Sequence, residues 1–178
     1  MATITRQREV DAADAFLLGA KTLDGPPPNW QDILWGSELA ALWIVLDSDG
    51  APSGQLRFRA LKTDTLNVGL SLIHGGHPLW RIDLDERGPP HPNPPDAHAL
   101  GLTATVPASH EHAWVINRAY ILSQDQWPLR YRRPIPRQIR RLGQALLWLA
   151  PQINLTVGPD QHGFDGPNRL DLFDRSGQ

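Results

Sequence analysis

Apolar and polar residues change their period along this chain, and each change predicts a different element. From residue 5 to residue 20, Val10, Ala13, Leu17 and Ala20 recur at helical spacing with Phe16 beside them, while Arg6, Arg8, Asp11 and Asp14 fall mostly on other faces. That spacing predicts a short amphipathic helix. It should stop near Gly19, because residues 23–29 hold Pro26, Pro27 and Pro28, which remove amide donors and fix an extended crossing. From Glu38 the period becomes two. Residues 41–46, 55–61, 66–73 and 79–84 are rich in Val, Ile, Leu and Trp, and polar turns at 47–50 and 74–77 separate some of them. Four consecutive antiparallel strands are expected there. Residues 87–96 contain Pro89, Pro90, Pro92, Pro94 and Pro95, which predict a stiff loop barred from helix and ladder pairing. Apolar runs at 100–106 and 113–116 bracket His110-Glu111-His112 and predict two more extended pieces. Near the C-terminus Ile135, Ile139, Leu142, Leu146 and Leu149 are spaced four, three, four and three, with Pro136 and Pro151 at the ends, which predicts a helix over 136–150.

The expected fold is therefore α+β: an antiparallel sheet of five or six strands, one long C-terminal helix packed on a face, and a short N-terminal helix. A chain of 178 residues suits one domain over 1–178. Its core is expected over 38–154, with a helix and Pro-rich linker over 1–37. A polar tail follows over 155–178, anchored only by Leu170, Leu172 and Phe173. The tryptophans Trp30, Trp35, Trp43, Trp80, Trp114, Trp127 and Trp148 are expected to build the core, with Trp148 the candidate for exposure because it lies off the apolar stripe.

Lys+Arg 17 against Asp+Glu 19 gives a net charge of -2, so the chain as a whole is not a basic nucleic-acid coat. Cysteine is absent, which excludes disulfides, a thiolate nucleophile and any cysteine-ligated metal centre. No apolar stretch approaches the roughly 18 residues of a membrane span, and the first ten residues lack a signal-peptide core. These features predict a soluble, cytoplasmic protein with no membrane partner. There is no Walker loop, no GxGxxG, no HExxH and no GxSxG.

The candidate chemistry lies in a few His, Asp and Arg positions. Arg81 and Asp83 are two apart on a predicted strand and share a face, which suits either a charged site floored by a sheet or a solvated ion pair. His91 sits in the proline-stiffened loop, where a general acid or base would be held in position. His110 and His112 project from one face of an extended segment with Glu111 on the other, within reach of one metal ion or one phosphate. No third ligand lies nearby in sequence, although Asp83 and His91 could converge through folding, so neither a metal nor another cofactor is expected. An antiparallel return should bring one of these histidines within about 10 Å of Asp83 and Arg81, in a concave, accessible region. Arg130, Arg132, Arg133, Arg137, Arg140 and Arg141 form a basic cluster around Tyr131, and Arg57 and Arg59 share one face of the second strand. Such residues suit phosphate and base contacts in a nucleic acid, or a docking face for an acidic protein, or a solvated surface.

The pattern Trp80-Arg81-Ile82-Asp83, His91-Pro92-Asn93-Pro94 and His110-Glu111-His112, followed by Leu149-Ala150-Pro151-Gln152-Ile153-Asn154, resembles small bacterial proteins with an Arg-x-Asp, His-x-Asn-Pro, His-x-His layout. More distantly it is similar to the TumE-type toxins of toxin-antitoxin pairs. The resemblance covers residues 42–154, with Arg81, Asp83, His91, Asn93, His110 and His112 at the matching positions. This chain departs from the pattern in its Pro-rich first linker, its N-terminal helix and the filling of residues 84–90. The resemblance implies a compact toxin-like protein acting on RNA or translation and paired with an inhibitor or antitoxin protein. Together with the residues it leads to a first expectation, a metal-independent ribonuclease. In it His91, His110 and His112 would supply acid-base chemistry, Arg81 or Arg57 would stabilise phosphorane charge, and Asp83 would orient a histidine. The alternative is a non-enzymatic binding or inhibitor protein of a bacterial defence or toxin-antitoxin system, using the arginine-rich face.

Overall fold

The computed structural model describes residues 2–33 and 36–167. Helix α1 (Ala2–Leu18) leads to β1 (Lys21–Leu23) and, past the proline crossing, to β2 (Gln31–Asp32). A meander follows: β3 (Glu38–Leu46), β4 (Pro52–Leu61), β5 (Val68–His74) and β6 (His77–Leu84). The proline-rich segment holds β7 (His91–Pro92) and a 3-10 turn over Pro95–Leu100. Then come β8 (Thr105–Val106), β9 (His110–His112), α2 (Trp114–Leu122), β10 (Arg133–Pro134), α3 (Leu142–Leu149) and β11 (Leu155–Thr156).

Among the described residues nine strands form one sheet with the path β10-β9-β6-β5-β4-β3-β1-β11 and β2 beside β3, while β7 and β8 make a separate pair. Side chains alternate along the meander, so the sheet has one apolar face and one polar face. Trp43, Leu56, Phe58, Leu70, Leu72, Trp80 and Ile82 on the apolar face are buried. Val10, Ala13 and Phe16 of α1, Ile121 of α2, and Leu142, Leu146 and Leu149 of α3 belong to the same core. The β5–β6 turn is closed by Gly75 and Gly76 with φ of 56° and 82°. A two-residue hairpin with both φ values positive suits the twist of its strands and favours glycine at both positions.

The fold is α+β, with several differences from the expected layout. The sheet has more strands than five or six and is mixed, because β1 runs parallel to β11 with Lys21 opposite Leu155. Asn154 takes a left-handed φ of 53°, which turns the chain back beside β1. The N-terminal helix is the longer one, with 17 residues against eight in α3. The C-terminal helix begins at Leu142, not at Pro136, because Gln144 Oε1 accepts from the backbone amides of Arg140 and Arg141 while Arg141 stays extended. Ile135 and Ile139 are still buried, so their spacing reported a buried turn and not a helix. Residues 114–116 open α2 instead of a strand, and 100–106 contribute only β8. The proline loop does carry a two-residue ladder, His91 with Val106 and Pro92 with Thr105, at the margin of the fold where missing amides matter least. Trp148 is half-buried against the core, and Leu147 is the exposed apolar residue of α3. Residues 155–167 are no mere tail, since Phe164 is buried against Trp43 and Phe58. Trp35, Leu170, Leu172 and Phe173 lie outside the described residues. Among those described, no helix is long and apolar enough to cross a membrane.

Candidate functional site

The ladder register gathers the polar face. Arg57, Ser71, Arg81 and His112 lie opposite one another across β4, β5, β6 and β9, and Arg59, Gly69, Asp83 and His110 form the next row on the same face. Directly paired antiparallel residues stand about 4.5–5.5 Å apart, so each row is a continuous strip of side chains. Residues 110 and 112 reach this face only because β9 joins the meander beside β6. Glu111, between them, turns to the covered face.

At the β9 end the strip becomes a cluster. Asp83 Oδ1 accepts from Arg81 Nε at 2.9 Å and Nη2 at 2.8 Å. Its other oxygen, Oδ2, lies 3.6 Å from His110 Nε2 and 3.9 Å from His112 Nε2. His91 stacks obliquely on His110 with ring centres 4.9 Å apart. The expected convergence of histidines on Asp83 and Arg81 is therefore present. A pocket of about 260 Å³ is lined by Asn67, Arg81, Asp83, Asp85, His91, Ala108, His110, His112 and Arg132. It shares Asn67, Arg81 and Asp83 with a groove of about 590 Å³ that runs along the sheet past Arg57, Arg59 and Ser71.

The two paired histidines are buried and His91 is half-exposed. Burial pushes the His112 pKa down to about 3, helped by His110, Arg132 and Arg81 and opposed by the Leu129 backbone, and Nδ1 is buried with no hydrogen-bond partner among the described residues. Burial also lowers the His110 pKa, against the pull of the Ala108 carbonyl and Asp83. Both rings are thus neutral near pH 7. His110 Nδ1 is 2.7 Å from the Ala108 carbonyl. A carbonyl can only accept, so Nδ1 carries the proton and Nε2 presents its lone pair towards Asp83.

The proline loop is fastened to this end of the sheet by Asn93. Its side chain donates to the carbonyls of Thr103 and Arg132, each at 2.9 Å, and accepts from the Arg132 amide at 2.9 Å. Arg132 in turn donates to the Pro92 carbonyl at 2.7 Å. These bonds set His91 and Arg132 at the pocket wall. Among the described residues Arg132 Nε is buried without a partner.

Three of the other arginines of the run 130–141 go to separate partners. Arg130 pairs with Asp96 at 3.1 Å and donates to the Tyr120 hydroxyl. Tyr131, buried, donates its hydroxyl to the same Asp96. Arg133 binds Glu111 on the covered face, where Trp80 Nε1 also donates to that carboxylate. Arg140 reaches Glu86 at 3.6 Å, and Arg137 and Arg141 are exposed. Of the six, only Arg132 lines the pocket, so the basic run 130–141 does not make one face. Asn67 and Asp85 line the pocket without having been singled out in the sequence. Asp85 continues the alternation of Arg81 and Asp83, and Asn67 that of Gly69 and Ser71 within the expected strand 66–73, which was the available signal, although the observed strand begins only at Val68.

Comparison with protein-family models, curated proteins and solved structures finds no match to this chain.

Proposed function

We propose that this protein binds RNA along the polar face of its sheet and cleaves a phosphodiester at the pocket. One observation carries the reading: His91, His110 and Asp83 converge beside Arg81 and Arg132 at the end of a groove that Arg57 and Arg59 extend. The planar fork of each guanidinium on this concave strip suits a phosphate, and the Nε of Arg132, unpartnered among the described residues, is a buried donor waiting for an acceptor. His91, the accessible histidine at this wall, takes the proton of the ribose 2′-hydroxyl as that oxygen attacks phosphorus, and the 5′-oxygen leaves as a hydroxyl with a proton from water, giving a 2′,3′-cyclic phosphate. Arg81 and Arg132 stabilise the charge that develops on the phosphorane. Asn93 is a positioning residue that holds His91 and Arg132 in place.

The resemblance to toxin-like proteins is consistent with this activity and with an inhibitor protein as a natural partner. A purely recognitional role for the arginine run 130–141 is less well supported, because Arg132 alone of that run lines the pocket and Arg130 and Arg133 turn to Asp96 and Glu111 away from it. The test is cleavage of labelled single-stranded and hairpin RNA, with and without divalent ions. His91→Ala should lower the rate by about 100-fold or more, as for a lost proton-transfer group. Arg57→Ala with Arg59→Ala should weaken RNA binding and flatten its salt dependence. Wild-type protein that neither binds nor cuts RNA, or a His91→Ala variant that cuts at the normal rate, would overturn the proposal.

A further inference from the structure

We propose that Asp83, His110 and His112 form a binding site for a single divalent transition-metal ion. One ligand atom from each lies within 4.8 Å of the others, and His110 and His112 are buried. Asp83 Oδ2 and the two Nε2 atoms face one another at 3.6 and 3.9 Å, beyond hydrogen-bonding reach. On His110 the facing atom is a lone pair, since its proton is committed to Ala108. Lone pairs turned on a carboxylate at this range repel unless a cation lies between them. An ion with bonds of about 2.1 Å spaces its donors by about 3.0–3.4 Å, so the carboxylate and each imidazole need to close by about 0.2–0.9 Å and the two imidazoles by at most about 1.8 Å.

The surroundings are those of a prepared ligand set. His110 donates its second ring nitrogen to a backbone carbonyl, the usual way a metal-binding imidazole is fixed in tautomer and orientation. Arg81 holds Oδ1 of Asp83 and leaves Oδ2 for the ion. Two imidazoles and one carboxylate on one side, with the pocket on the other, leave coordination positions open. That donor set favours iron, manganese, cobalt or zinc over magnesium or calcium, which prefer all-oxygen shells. Arg81 and Arg132 beside the site lower its affinity for a bare cation and favour an anionic ligand on the ion. If the RNA reading holds, the ion would polarise a phosphodiester oxygen in the same pocket, and that role rests on the proposed function. The metal site itself does not.

The experiment is calorimetric titration of chelator-treated protein with Zn²⁺ and Co²⁺, with Mg²⁺ as control, alongside the visible absorption of the Co²⁺ form and the thermal midpoint. One equivalent of Zn²⁺ or Co²⁺ should bind with about micromolar affinity and raise the midpoint, as a ligand specific to the folded state does. His112→Gln and the half-exposed Asp83→Asn should each weaken binding at least tenfold while retaining wild-type circular dichroism, whereas His98→Ala, remote in sequence and exposed, should not. Binding that survives Asp83→Asn and His112→Gln, or no binding by wild type, overturns the inference. Metal binding without RNA cleavage upholds the site and removes the RNA reading. Cleavage by metal-free protein that binds no ion does the reverse.

Discussion

Replacing Arg133 by Met separates a structural arginine from a nucleic-acid contact. Arg133 Nε sits 2.5 Å from Glu111 Oε1 on the covered face of the sheet, and its side chain is 32% exposed while that of Glu111 is 1% exposed. The carboxylate keeps one other donor, Trp80 Nε1 at 2.6 Å. Burial already raises the Glu111 pKa, with Arg133 and Trp80 pulling it back. Methionine keeps the apolar stem as far as the position of Nε and removes the charged guanidinium, leaving a buried carboxylate with one hydrogen bond. Removing one partner of a buried pair costs about 3–5 kcal/mol, and the partial exposure of Arg133 places this pair at about 3 kcal/mol. Glu111→Gln should cost less, because Trp80 can donate to the amide oxygen. The double variant should recover much of the Arg133→Met loss, giving a coupling of about 1–3 kcal/mol. Urea unfolding followed by tryptophan fluorescence, at fixed pH, measures all four corners of the cycle. A loss below about 0.5 kcal/mol for Arg133→Met, or strictly additive losses in the double variant, would refute the argument.

Two further perturbations probe other parts of the structure. Leu146 is 1% exposed in the core under the sheet, so Leu146→Ala should lower unfolding stability by about 2–5 kcal/mol, and a change within noise in chemical denaturation would mean the stripe is not packed as described. Lys21 is buried with its ammonium against the carbonyls of Phe16, Leu17 and Gly19, and burial lowers its pKa to about 8 from the ordinary 10.5. Between these values the unfolded chain binds more protons than the folded one. Stability should therefore rise by about 1–2 kcal/mol as pH goes from about 8 to 10, less than the full shift implies because the carbonyls favour the charged form. Unfolding of Lys21→Met compared with wild type across that range checks the sign, and an identical pH profile for both would refute it.

The meander, the turns between its strands and the face on which Arg57, Arg59, Arg81 and Asp83 lie were legible in the sequence, because alternation with period two sorts side chains without reference to distant residues. The opposition of His110 and His112 to Glu111 followed from the same rule. Which strand lies beside which did not, because register between β6 and β9 is settled by packing across a 25-residue excursion, and that pairing is what sets His112 opposite Arg81 and His110 opposite Asp83. The pairing of β1 with β11 is equally non-local, and it turned an expected antiparallel sheet into a mixed one. Apolar spacing marked Ile135 and Ile139 as buried yet misread their backbone, since a tight turn and a helix can bury the same positions. The arginine run looked like one surface because sequence proximity says nothing about partners. Asp96, Glu111 and Glu86, each supplied by a distant segment, draw Arg130, Arg133 and Arg140 to different places, and only Arg132 is left facing the histidines. Local periodicity thus determined what each segment could present, and long-range burial and charge pairing decided which of those residues meet.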